Sequence, residues 1–105
     1  MIDSVVLDNI CLEVAQVFNG IMNRDIDCMH NREARILGPT FVANEIGKAV
    51  NSVGMQAMLR QEVSVDEVKE LIENLISIVE TFEVKELRAP ISKLIDLVKI
   101  ETGEA

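Results

Sequence analysis

Apolar residues return every three or four positions along most of the chain, and no segment alternates in the manner of a strand. In "SVVLDNICLEVAQVFNGIMN" the residues Leu7, Ile10, Cys11, Val14, Val17, Phe18 and Ile21 form one wide apolar stripe, the pattern of an amphipathic helix. Asp3 or Ser4 can cap its first turn. Gly20 costs about 1 kcal/mol relative to alanine in a helix interior, so fraying is expected by Asn23. The run "NRDIDCMHNRE" breaks the period and reads as a polar connection.

A short helix is expected around Glu33 to Leu37. Gly38 suits a helix end, and Pro39 suits the first turn of the next helix. That second long helix is expected from Pro39 to about Gln61, with Val42, Ile46, Val50, Val53 and Ala57 at helical steps. The third has the clearest start in the chain. Ser64 stands three residues before Glu67, which makes a capping box, and Val63 with Val68 makes the matching hydrophobic staple. Val68, Leu71, Ile72, Leu75, Ile76, Val79 and Phe82 then form its stripe. Asp66, Glu67, Glu70, Glu73, Asn74, Ser77 and Glu80 lie opposite. Pro90 either kinks a last helix or begins one, with Ile91, Leu94, Ile95 and Val98 facing inward. "ETGEA" reads as a tail frayed from about residue 102. The expected fold is all-α, a single domain over residues 1–105 built as a small bundle of four to five helices, with breaks near 38–39 and 90.

The second long helix has an unusual side. Ala43, Gly47, Val50, Gly54 and Ala57 share one face, so small residues stand where leucines are usual. A helix can approach such a track closely, although this packing is best established in membranes. The expected occupant is the first helix of the same chain, with a dimer seam beside it. Asn51 and Gln56 can hydrogen-bond across a helix interface and restrict its register, or they can face water. Met29, Met55 and Met58 read as core filler rather than as an adaptable binding surface.

Composition narrows the function. Of the 105 residues 49% are hydrophobic, enough to build a core, and there is no Trp or Tyr. A net charge of −8 repels phosphate backbones, and few aromatic rings are present for base stacking, so direct nucleic-acid binding is not expected. Acidic Asp3 and Asp8 stand where a secretory signal would carry positive charge. No stretch was expected to reach a membrane span of roughly 20 apolar residues. Two cysteines, Cys11 and Cys28, do not make a disulfide scaffold, and Cys11 reads as a small core residue. The expected setting is the cytoplasm.

Candidate chemistry is sparse. "GKAVN" fails as a phosphate loop, because Val42 stands where the upstream glycine belongs and Ala49 follows Lys48. Asp25, Asp27, Cys28, His30 and Glu33 are metal-ligating types, but they lack paired zinc spacing and the calcium-loop glycine. They read as a polar connection. His30 has no nucleophile or orienting group near it in sequence. No catalytic, cofactor or metal site is expected, and an enzyme is not.

Asn44, Gly47, Lys48, Val50, Asn51 and Gln56 together resemble a pattern in small helical proteins of bacteriophages and prophages. The upstream "VFNGIMNRDID" is similar to the Asn-Gly segment and polar link that precede this helix in such proteins. The resemblance spans roughly Leu12 to Glu62. The basic or tyrosine-bearing continuation is replaced here by Met58 and Leu59, and nothing from Ser64 onward takes part. It implies a mobile-element origin with a regulatory or host-directed role, and no reaction.

The leading expectation is therefore a non-enzymatic, self-associating interaction protein, as a homodimer. A small chain buries a smaller fraction of its surface, yet this one carries much aliphatic stripe. One alternative is an acidic inhibitor or adaptor of a host nucleic-acid-processing protein, using Asp66, Glu67, Glu70 and Glu73. Another is a small metal- or ligand-binding helical domain.

Overall fold

Asp3 starts the first helix: its Oδ1 accepts from the backbone N–H of Val5 at 2.9 Å and of Val6 at 3.2 Å. In the computed structural model, which describes residues 1–104, this helix, α1, runs Ser4–Met22. Its end is locked rather than frayed. Arg24 takes a left-handed φ of 64°, which lets the Asp25 and Ile26 N–H groups both donate to the Gly20 carbonyl, at 2.8 and 3.0 Å. Gly20 lacks a side chain because the Ile26 side chain folds back over it.

The connection is less polar than its sequence suggested. Cys28 is buried and Ile26 and Met29 pack on the core. Asn31 then caps α2 (Arg32–Leu37) by accepting from the Ala34 N–H at 2.9 Å. Gly38, with φ 92° and ψ 159°, ends α2 and opens α3 (Pro39–Met58), a backbone conformation that needs glycine. The third helix stops three residues short of Gln61. Arg60 adopts φ 57°, and the Gln61 N–H donates back to the Gln56 carbonyl at 2.8 Å. No glycine marked this stop in the sequence.

Helix α4 (Val65–Phe82) begins on the expected capping box. The Glu67 N–H donates to Ser64 Oγ at 3.1 Å, and the Ser64 N–H donates to Glu67 Oε2 at 3.0 Å. Val63 and Val68 are both buried, as a staple requires. The stripe is as expected at Val68, Leu71, Ile72, Leu75 and Phe82, with Val79 packed beside them, and differs at one position. Ile78 is buried, whereas Ile76 is 36% exposed. Leu71, Leu75, Ile78 and Phe82 form the inward row, because α4 packs on both α3 and α5. Glu83 ends the helix in a left-handed conformation, and a 3₁₀ turn (Lys85–Leu87) leads into α5 (Arg88–Thr102). Pro90 thus begins a helix rather than kinking one: in the first turn its missing N–H loses no helical bond. Leu97 joins the inward face, Ile95 is only partly buried, and the tail begins at Gly103.

The four long helices close a ring, α1 beside α3, α3 beside α4, α4 beside α5, and α5 beside α1. Their buried faces form a single apolar cluster. Helix α2 packs on α3 and α4. Among the described residues the fold is all-α, a small helical bundle of five helices. Two ion pairs fasten α1 to its neighbours. Lys93 pairs with Glu13, and Arg60 reaches Asp8 at 3.2 Å while donating to the Ala57 carbonyl at 2.9 Å. The N-terminal amine pairs with Glu101. By length and composition α1 does meet the requirement for crossing a membrane, contrary to the sequence expectation. Its aliphatic content has a use within the bundle, where it is a neighbour of both α3 and α5.

Candidate interaction surface

The small-residue track of α3 lies against α1. A Cβ on Gly47 would sit 3.4 Å from Phe18 Cε2, and one on Gly54 would sit 3.7 Å from the Cys11 Cβ. As numbers rise along α1 they fall along α3, so the two helices are antiparallel. Ala43 and Ala57 are fully buried, and Val50 is half-buried. The track thus serves an intrachain contact, and at Gly54 the approach is an ordinary van der Waals distance.

The two amides do not join helices within the chain. Asn51 is exposed, and Gln56 Nε2 turns back to Ser52 of its own helix, to the Oγ at 3.3 Å and the carbonyl at 3.4 Å. The periodicity shared by Asn51 and Val50 could not separate the inner edge of the track from its outer lip.

Outside this contact, the α1/α3 pair presents a shallow groove floored by Cys11, Ala15 and Gly54 and rimmed by Leu12, Met55 and Met58. Leu12 is 54% exposed, Met55 48%, Met58 53% and Leu59 56%. Met55 and Met58 are therefore surface residues, not filler, whereas Met29 packs on the core as expected. Leu12 fell outside the expected α1 stripe, which was the one local signal of an outward leucine. A second depression, about 510 Å³, lies further along the same face, with Phe18 and Gly47 in it and Phe41, Asn44 and Lys48 around it. Asn51 lines both.

Charge on this face lies towards its ends: Glu45 and Lys48 line the second depression and Asp8 the first. No charged residue occurs between Glu13 and Arg24 on α1, or between Lys48 and Arg60 on α3. Asp8, at one end, is already paired with Arg60. Burial, with help from Asp8, pushes the Cys11 thiol up to about 11, so it stays protonated and unreactive at neutral pH.

The acidic residues are elsewhere. Asp66, Glu70 and Glu73 are exposed on α4 with Lys69 among them, but Glu67 is only half-exposed and its carboxylate closes the capping box. His30 Nε2 approaches Asp27 Oδ2 at 3.1 Å, both well exposed. Among the described residues, no group of three or more His, Cys, Asp or Glu side chains converges to hold a metal. Burial pushes the Cys28 thiol up as well. No match was found among protein-family models, curated proteins or solved structures.

Proposed function

We propose that the chain is a non-enzymatic helical interaction protein that self-associates, as a dimer, through the outer face of the α1/α3 pair. One observation carries this reading. Leu12, Met55 and Met58, each about half exposed, line one groove between α1 and α3. Contiguous apolar surface of this kind marks interaction sites, because keeping it in water is unfavourable. Two free cysteines, both buried, fit a reducing compartment such as the cytoplasm. A phage or prophage origin rests on the α3 motif alone. The acidic-adaptor reading is weaker, since Glu67 is engaged at the helix start and Lys69 interrupts the remaining carboxylates.

Sedimentation across a micromolar-to-millimolar series tests the proposal. A species of twice 11.7 kDa is expected, and a monomer throughout the series overturns it.

A further inference from the structure

Asn19 and Gly20 form the only asparagine–glycine step in the chain; every other asparagine precedes a residue with a side chain. They lie in the last turn of α1, where Asn19 is exposed. Glycine leaves its own peptide nitrogen uncrowded and the local backbone free to turn, so that nitrogen can reach the side-chain amide carbon of the asparagine before it. A closed helix prevents this, because it commits each N–H to the carbonyl four residues back. Three bonds hold the turn closed. The Asn23 N–H donates to the Asn19 carbonyl at 2.8 Å, and the Asp25 and Ile26 N–H groups donate to the Gly20 carbonyl at 2.8 and 3.0 Å. The Ile26 side chain covers Gly20. This closure depends on Arg24 holding φ 64°, which is costly for any residue but glycine. Met22 to Asp25 are all exposed, and exposed helix ends are where local opening takes least free energy.

We propose that Asn19 is a self-modification site, an intramolecular deamidation held off by the lock at the end of α1. When the lock opens, the Gly20 nitrogen gives its proton to hydroxide and attacks Cγ of Asn19. A bond from that nitrogen to Cγ forms, the bond from Cγ to Nδ2 breaks, and the amide nitrogen leaves as ammonia. The product is a five-membered cyclic imide. Water then adds to one of its two carbonyl carbons. Addition at Cγ opens the ring to aspartate; addition at the main-chain carbon leaves the chain running through Cγ, as isoaspartate. Overall a water is consumed and an ammonia released, with no change of oxidation state and no partner molecule.

Either product opposes reclosure. The new carboxylate stands in the last turn of α1, at the negative end of the helix dipole, in a chain whose net charge is already −8. Isoaspartate also lengthens the backbone within that turn and displaces the carbonyl to which Asn23 donates. The step therefore runs one way: opening permits the reaction, and the reaction favours the open end. Its rate reads how often the lock opens. The neighbours carry the effect inward, since Phe18 lies against Gly47 of α3 and Ile21 is fully buried. A modified last turn thus loosens one end of the α1/α3 contact.

The test incubates the full chain in mildly alkaline buffer and follows amide-to-acid conversion at each asparagine by peptide mass spectrometry, with isoaspartate separated by chromatographic retention. In the guanidinium-unfolded chain Asn19 is expected to convert before any other asparagine. In the folded wild type it is expected to convert at least about tenfold more slowly than in the unfolded chain. Ile26→Ala uncovers Gly20 and is expected to speed conversion at least about threefold over the folded wild type, with the helical circular-dichroism signal unchanged. Arg24→Gly keeps the isoleucine, relieves the left-handed strain and is expected to slow conversion. A folded wild type that converts at the unfolded rate overturns the lock. Another asparagine reacting first in the unfolded chain overturns the site. Equal rates, or no conversion, in the folded wild type and both variants while the unfolded chain converts overturn the proposal as a whole.

Discussion

A Cβ placed on Gly20 would stand 2.5 Å from the Cδ1 of Ile26, closer than non-bonded carbons come. Ile26 lies over the last turn of α1 because Arg24, in a left-handed conformation, reverses the chain beneath it. Two opposing effects therefore act on Gly20→Ala. Alanine gains about 1 kcal/mol of helix propensity, while the isoleucine must leave its rotamer or its site, at about 0.5–1.5 kcal/mol or more. In the wild-type background the substitution is expected to be neutral to mildly destabilising. With Ile26→Ala already present it is expected to stabilise by about 1 kcal/mol. Urea melts of the four-member cycle check this, and additivity would refute the contact.

Three other glycines differ in what they tolerate. Gly54→Ala meets Cys11 at an ordinary distance of 3.7 Å and gains propensity, so the folded protomer is expected to be stabilised by about 0.5–1 kcal/mol. Gly47→Ala is tighter, at 3.4 Å from the Phe18 ring, and gains less. Gly38→Ala meets no neighbouring atom within 4 Å but is held at φ 92°, and is expected to cost about 1–3 kcal/mol. Thermal melts at a fixed concentration should rank them Gly54, Gly47, Gly38.

The parts of the fold legible in the sequence are those settled within a few residues. The stripe of α1, the capping box of α4 and the glycine–proline junction at Gly38 and Pro39 each depend on local backbone chemistry. The illegible parts depend on distant partners. Ile78 rather than Ile76 turns inward because α3 and α5 flank α4. Cys28 is buried because the connection folds onto the bundle. Helix ends were misjudged where Arg60 takes the left-handed position usually given to glycine, as Arg24 and Glu83 also do. The α1/α3 track was readable as a packing face. Its outer lip was not, since Asn51 and Met55 differ from the inner residues by less than half a helical turn.

Ser64→Ala removes the Oγ acceptor for the Glu67 N–H and leaves the capping box only its second bond, from the backbone N–H of residue 64 to Glu67 Oε2. It is expected to lower stability by about 1 kcal/mol, within a range of 0.5–2. Ser64→Asp should retain most of the wild-type value, because a carboxylate accepts the same N–H and favours the helix start. Equal losses for both substitutions would mean that the cap contributes through packing of Val63 instead.

The Cys11 thiol gives the protein a stability that depends on alkaline pH. Burial raises its pKa from 9.0 to about 11 in the folded chain. Between those values the unfolded chain has released the proton and the folded chain retains it, so folding binds a proton and stability falls as pH rises. The contribution is intact below pH 9 and is lost on approaching pH 11, with a total on the order of 1–3 kcal/mol. Cys28 shifts in the same direction and adds to the slope. With no tyrosine in the chain, phenol ionisation does not obscure this window, and the lysines are common to wild type and variant. Urea denaturation at pH 8 and pH 10.5 should therefore show the wild type losing more stability than Cys11→Ala over the same interval. Equal losses would mean that Cys11 ionises in the folded state as freely as in the unfolded one, in which case the groove floor above it admits water.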